Sequence, residues 1–330
     1  MDISKEQYEE NFKGYIIMDC AVRSKDIFYF SLCTDDSLVP DADEEDVKQT
    51  KKIADTSIYQ RIVSYAKILD PEDKWDCEEF SGIGDFSISV SKKPKEQMIG
   101  VDHNGVVFIY GSGDNGIESS IPNWIDGGIL RGGVSRCRTI DGHTYIAAGG
   151  RTVAKRNKEN EWISLLKGLP FEYKADWKTA GFLDIDGFSE TDIYAVGGRG
   201  DVWHFDGDAW TQIHFPSNIH LYSVCCAGDG EVYVSGYQGN TFKGRGHKWK
   251  HIHKGSMTIP FKDMIWHENM VWCTSDYGLW QINDEKLTAA EVTSEIKVCS
   301  GHLSTCGDVL LLAGHSGAAY KENGVWHKIF

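Results

Sequence analysis

Proline is scarce in this sequence, and no stretch of it stays apolar for long. The 330 residues include only 7 prolines beside 35 glycines, a balance that suits many tight turns between short strands. No run approaches the roughly 18 consecutive apolar residues that a transmembrane helix needs. The first residues, from Met1 to Glu6, lack the basic and apolar regions of a signal peptide. We therefore expect a cytoplasmic protein that binds no membrane.

Positive charge is also in short supply. The chain has 34 lysines and arginines against 49 aspartates and glutamates, which gives a formal net charge of −15. An acidic surface repels the phosphates of nucleic acids and of anionic lipid headgroups. The composition therefore argues against binding to nucleic acid or membrane, and it favours a neutral or basic protein partner.

The usual motifs of metal and catalytic sites are missing. The nine cysteines form no C-x-x-C pair, so neither a zinc knuckle nor a thioredoxin-type redox pair is predicted. His247, His251 and His253 lie close together, but the lysines between them favour solvated histidines over a metal site. The glycine-rich stretch 197–200 does not lead into a helix, as a phosphate loop would. We predict no cofactor and no metal.

The sequence does contain a repeat with an offset of 39 residues. The pattern of segment Asp192–Ile213 recurs in Glu231–Ile252. Each copy consists of a strand with alternating residues, a glycine turn, a second strand, a polar turn and a third strand that begins near a tryptophan. The turn glycines keep the same spacing at Gly200, Gly239, Gly278 and Gly317. We interpret the tryptophans that follow such turns as wedges between repeats, namely Trp162, Trp210, Trp249 and Trp326.

A period of this length, with several short strands per unit, is typical of a propeller blade. The units, such as Ile193-Tyr194-Ala195-Val196-Gly197, resemble WD40/YVTN-like and kelch-like β-propeller repeats over nearly the whole chain. The resemblance implies one all-β domain over 1–330 with four antiparallel strands per blade and seven blades, six being the alternative. The predicted blades are 15–80 with an acidic insertion at 34–57, 85–122, 128–170, 181–216, 219–254, 259–293 and 296–330.

The resemblance does not point to a family of specific function. The ordered signature of true WD40 blades, Gly-His followed later in the same blade by Trp-Asp, is absent, and fold alone does not determine function. No catalytic residue is therefore predicted.

The turns between second and third strands are where we expect the function to lie. The resemblance implies that these turns and the links between blades share one face, which we name the second-turn face. Its residues vary while the framework repeats, as in many binding surfaces, and Tyr, Trp and Arg are common interface anchors. The predicted binding residues are His103, Arg151, Arg199, Tyr237, Gln238, Asp276, Tyr277 and His315 in the turns, with Trp124 and Trp177 in the links.

Three functions remain open at this point. The leading hypothesis is a non-catalytic propeller that binds another protein, for example an immunity or inhibitor protein that covers a basic toxin or enzyme. The second is a propeller hydrolase or lyase with a polar site at the channel mouth, built from His103, Arg151, Arg199, Asp276 and His315. The third is a structural scaffold subunit. The missing catalytic motifs favour the first.

Overall fold

Seven four-stranded sheets make up the fold. The computed structural model describes residues 2–35, 59–171 and 181–330. The predicted binding residue Trp177 and most of the predicted acidic insertion lie outside the described residues. The prediction of an all-β, seven-bladed propeller is confirmed, and the six-bladed alternative is wrong.

Each blade is an antiparallel meander whose strands pair in chain order. Blades 1 and 2 are β1 (Tyr15–Ser24), β2 (Ile27–Thr34), β3 (Tyr59–Ala66), β4 (Trp75–Ser81), β5 (Phe86–Ser91), β6 (Gln97–Asp102), β7 (Val107–Gly111) and β8 (Asp114–Glu118). Blades 3 and 4 are β9 (Val134–Ile140), β10 (His143–Ala148), β11 (Thr152–Lys158), β12 (Glu161–Ser164), β13 (Phe182–Ser189), β14 (Asp192–Gly197), β15 (Asp201–Phe205) and β16 (Trp210–Gln212).

Blade 5 comprises β17 (Leu221–Cys226), β18 (Val232–Gly236), β19 (Thr241–Arg245) and β20 (Lys248–His253). Blades 6 and 7 are β21 (Asp263–His267), β22 (Met270–Ser275), β23 (Gly278–Asn283), β24 (Lys286–Ala289), β25 (His302–Cys306), β26 (Val309–Gly314), β27 (Gly317–Glu322) and β28 (Val325–Lys328). The helices in the described residues are α1 (Lys5–Asn11) and α2 (Ser294–Lys297), with single 3₁₀ turns at Trp124–Asp126 and Tyr237–Gly239. Within the described ranges, no helix is long and apolar enough to cross a membrane.

The strand register defines the two ends of every blade. In blade 4, Gly197 at the end of the second strand lies opposite Phe182 at the start of the first strand and Asp201 at the start of the third. The other blades pair in the same sense. The link that enters a blade and its second turn therefore lie at one end, and its first and third turns lie at the other.

Apolar side chains fill the spaces between blades, which explains why the second strands are apolar at almost every position. Ile193 and Ala195 in β14 pack toward blade 3, whereas Tyr194 and Val196 pack toward blade 5. Both faces of the sheet are thus covered. Trp210 is buried between blades 3 and 4, as the wedge interpretation predicts, and its indole N–H donates to the carbonyl of Leu165, at 2.9 Å.

Polar side chains join the inner strands of neighbouring blades around the channel. On the first strands of blades 1, 4 and 6, the carboxylate of a buried aspartate accepts a hydrogen bond from a backbone N–H of the next blade. These pairs are Asp19 with Ile88 at 2.9 Å, Asp184 with Val224 at 2.9 Å and Asp263 with Leu303 at 3.2 Å. Such bonds satisfy backbone groups that face the channel and fix the spacing of the blades.

The ring closes between blades 7 and 1 without an exchanged strand. The N–H of Asp2 donates to the carbonyl of Ile329 at 2.9 Å, and the N–H of Val22 donates to the hydroxyl of Ser304 at 2.9 Å. Behind these bonds, the buried ring of Phe12 at the end of α1 packs on the terminal blades. The N-terminal segment therefore acts as the clasp of the ring.

Candidate functional site

Large apolar side chains are exposed on the second-turn face. Among the described residues, five of the twelve exposed large apolar side chains belong to second turns or to links between blades: Trp124, Ile125, Tyr237, Tyr277 and Val298. The first and third turns contribute Ile68 and Leu69, which are neighbours in one turn. The second-turn face is therefore the candidate interaction surface of the described residues.

Trp124 projects from a rigid link between blades 2 and 3. The side chain of Asn123 accepts a hydrogen bond from the N–H of Ile125 at 3.0 Å and so caps the 3₁₀ turn. The N–H of Trp124 donates to the carbonyl of Leu130 at 2.7 Å, and the Trp124 ring meets the edge of Phe171 at 5.4 Å between centroids. The indole remains 44% exposed, so the link presents a fixed aromatic surface to solvent.

Arg199 and Tyr237 occupy equivalent turns in blades 4 and 5, and both side chains are exposed. The guanidinium of Arg199 makes no hydrogen bond or ion pair with the described part of the chain. Its turn is nonetheless fixed, because Gly200 has a φ of +69° and a Cβ there would collide with the carbonyl of Ser217. Gln238 beside Tyr237 also has a left-handed φ of +60°.

Two of the predicted binding residues make contacts within the ring. The guanidinium Nε of Arg151 donates to the carboxylate of Asp201 in the next blade at 2.7 Å, and the guanidinium lies 5.6 Å from the centroid of the Trp203 ring. The ring of His103 lies against Gly133, where a Cβ would collide with it. Both side chains therefore help to hold neighbouring blades in place.

Asp276, Tyr277 and His315 line one cleft between blades 6 and 7, with a volume of about 520 Å³. The link between these blades adds Lys297 and Val298 to the walls. The carboxylate of Asp276 pairs with the ammonium of Lys262 at 2.6 Å. The sequence therefore identified three residues of this cleft, and it missed Ser294, Lys297 and Val298 of the link and Ser316 of the turn.

The five residues of the enzymatic alternative do not form one site. They belong to the second turns of five different blades, and only Asp276 and His315 line a common cleft. Outside this cleft, Arg151 alone of the five pairs with a carboxylate of the described residues, that of Asp201. The arrangement fits a dispersed binding surface better than a catalytic centre.

The middle of the channel is filled by buried ion pairs that the sequence reasoning missed. The Nη2 of Arg138 lies 3.2 Å from carboxylate oxygens of both Asp184 and Asp263. Arg136 lies beside the same two carboxylates, with Nε 3.2 Å from Asp184. Burial alone would raise the pKa of Asp263, but the two guanidinium groups outweigh it and hold that pKa below its ordinary value.

A cavity of about 470 Å³ lies beneath these pairs, at the first-turn end of the channel. Val22, Phe188 and Trp266 contribute apolar walls, and Asp186 lies among the polar lining groups. Both Asp186 oxygens accept backbone N–H groups, from Gly187 and Cys226. None of the five residues of the enzymatic alternative is among those that line this cavity.

His251 of blade 5 has ordinary structural contacts. The ring of His251 stacks on Phe242 at 4.3 Å between centroids and hydrogen-bonds the side chain of Asn240 at 3.0 Å. Over the ranges that the structure describes, no three His, Cys, Asp or Glu side chains are placed to hold a metal ion.

Comparison with known proteins adds one relative and several structural neighbours. No protein-family model matches the chain. The chain is 28% identical over 277 residues to the Immune protein Tsi7 of Pseudomonas aeruginosa, and the alignment covers 81% of this chain and 88% of that protein.

Solved structures show the same fold at low sequence identity. Sqt1 of Chaetomium thermophilum matches with a TM-score of 0.62 and 8% identity, over 94% of this chain and 83% of that one. The WD40 propeller domain of Doa1 matches with a TM-score of 0.57 and 12% identity, over 92% of this chain and 90% of that one. At such identities these likenesses establish the propeller fold alone.

Proposed function

We propose that this protein is a non-catalytic immunity protein, which binds a toxin through its second-turn face and blocks it. The relative named Immune protein Tsi7 supports this proposal most directly, because the alignment spans most of both chains. The exposed apolar side chains of the second-turn face supply the binding surface that such a function needs.

The scaffold suits tight binding because its anchors are held before the partner arrives. Arg199 lies in a turn that only glycine at position 200 allows, and the Trp124 link is fixed by hydrogen bonds at both ends. A preorganised surface loses little conformational entropy on association. Aromatic and arginine anchors usually dominate the binding energy of such interfaces.

Charge supports the partner type that the sequence predicts. With a net charge of −15, long-range attraction would speed association with a basic toxin. The described second-turn face itself carries charges of both signs: Arg199 and Lys297 are positive, and Asp126 and Glu295 are negative. We therefore expect apolar anchors to set the affinity, and net charge to set the association rate and its dependence on salt.

The cysteines agree with the compartment that we propose. The thiols of Cys20, Cys77, Cys137, Cys225, Cys226, Cys273, Cys299 and Cys306 form no disulfide, as is usual in the reducing cytoplasm.

The test uses the purified product of the gene next to the one that encodes this chain, because a toxin and its immunity protein must be made together. Co-expression with this chain should restore the growth that this product suppresses, and calorimetry should show direct binding. A variant with Trp124→Ala, Arg199→Ala and Tyr237→Ala should lose protection, since hot-spot residues cost about 2 kcal/mol or more each.

The matched control changes exposed apolar residues at the other end of the blades, as Ile68→Ala with Leu69→Ala. Its protection should equal that of the unaltered chain. Full protection by the triple variant would rule out the second-turn face, and absence of binding by the unaltered chain would count against the proposed function.

A further inference from the structure

The cleft between blades 6 and 7 has the size and walls of an anchor site. Its volume of about 520 Å³ falls within the range of roughly 300–1,000 Å³ that is usual for ligand pockets. Tyr277 is 75% exposed and Val298 is 49% exposed, although both line the same concave surface. Two large apolar groups in one open cleft leave apolar area that a partner could cover.

The walls of the cleft are rigid. The N–H of Tyr277 donates to the hydroxyl of Ser275 at 3.3 Å, and a Cβ at Gly278 would collide with the ring of Trp280, so the turn is tightly packed. On the opposite wall, Val298 follows α2, which is held by the buried side chain of Ile296. The cleft therefore exists before any partner binds, which lowers the entropic cost of filling it.

The charges of the cleft select what can fill it. The one carboxylate in its lining, that of Asp276, is already paired with Lys262 at 2.6 Å. Lys297 is exposed, and its ammonium forms no ion pair within the described residues. His315 adds an exposed imidazole to the same lining. The uncompensated charge that faces an occupant is thus positive, although the whole chain is strongly acidic.

We propose that an apolar or aromatic side chain of the partner toxin, flanked by an aspartate or glutamate, enters this cleft. The apolar group packs between Tyr277 and Val298, and the carboxylate pairs with Lys297. This inference rests on the proposed function and adds to it the chemistry of one anchor on the partner. A basic toxin would thus present a local acidic and apolar segment at this point.

The experiment measures affinity for the same toxin by calorimetry. Tyr277→Ala and Lys297→Glu should each weaken binding by about 10-fold or more, as expected of interface anchors. The matched controls are Tyr8→Ala on α1 and Lys248→Glu on β20, which change exposed residues of the same types away from the cleft and should stay within about 2-fold. All four residues are exposed or half exposed, so the fold should survive, and circular dichroism checks this.

The salt dependence of binding distinguishes the apolar contact at Tyr277 from the ion pair at Lys297. The effect of Lys297→Glu should shrink at about 1 M salt, where the screening length is about 3 Å, whereas that of Tyr277→Ala should persist. Unchanged affinity in both cleft variants, with normal binding by the unaltered chain, would overturn the cleft and leave the proposed function standing. If only Tyr277→Ala weakened binding, the proposed pairing of a partner carboxylate with Lys297 would be wrong. Failure of the unaltered chain to bind would count against the proposed function instead.

Discussion

Phe12 should be the most sensitive single residue of the ring closure. Its side chain is 3% exposed and packs against Phe330 and Trp75, with centroids 4.3 and 5.3 Å away. Truncation of a buried phenylalanine to alanine usually costs about 3–5 kcal/mol. Because α1 is short and can relax into the cavity, we expect Phe12→Ala to cost about 3 kcal/mol, a large share of the roughly 5–15 kcal/mol that stabilises a typical domain.

Urea unfolding measures this cost, and hydrogen exchange shows where the ring opens. The matched control is Phe205→Ala, which removes an equally buried ring from the contact between blades 3 and 4. Both variants should be destabilised, but only Phe12→Ala should speed exchange in β1 and β28 specifically. A cost below about 1 kcal/mol for Phe12→Ala, or the same exchange pattern in both variants, would refute the clasp.

Two further predictions concern buried ionisable groups. Burial raises the pKa of Asp186 to about 6, so its contribution to stability is complete below its ordinary pKa and is lost as the pH rises through about 6. Between about pH 5 and pH 7, the free energy of unfolding of the unaltered chain, measured in urea, should therefore fall by about 1 kcal/mol more than that of Asp186→Asn. A difference between the two chains that does not change with pH would contradict this. Burial also raises the pKa of Cys137 to about 12 and of Cys299 to about 11, so a thiol reagent should label these two thiols slowly in the native protein and rapidly after unfolding; rapid labelling of either thiol in the native protein would count against the packing.

The fold could be predicted from the sequence because a propeller blade is a local structure. Strands that follow one another pair with one another, and the same packing recurs in each unit, so period and turn glycines are enough to reveal it. Trp210 illustrates this, since its place after the turn predicts the wedge that the structure shows. The N-terminal clasp has no equivalent in the repeat, and the sequence pattern did not indicate its role.

The polar channel could not be predicted because its members meet across the ring. Arg138 contacts Asp184 and Asp263, which lie 46 and 125 residues away in sequence. The one available signal was an acidic residue inside an apolar inner strand, as in Leu183-Asp184-Ile185-Asp186. Similarly, Lys297 and Val298 reach the cleft from a link that departs from the repeat, so the 39-residue register does not point to them.

The varying residues of the second turns differ in what their side chains contact, and this separates structural from binding roles. Arg151 forms an ion pair with Asp201 of the next blade. Removal of the Arg151 side chain would leave the Asp201 carboxylate without this partner. Arg199, in the equivalent turn one blade later, has no such partner among the described residues. A position that varies between blades and also lacks contacts within the ring is constrained by neither packing nor pairing. We therefore rank Arg199, Tyr237 and Tyr277 above Arg151 and His103 as candidate anchors for the proposed partner.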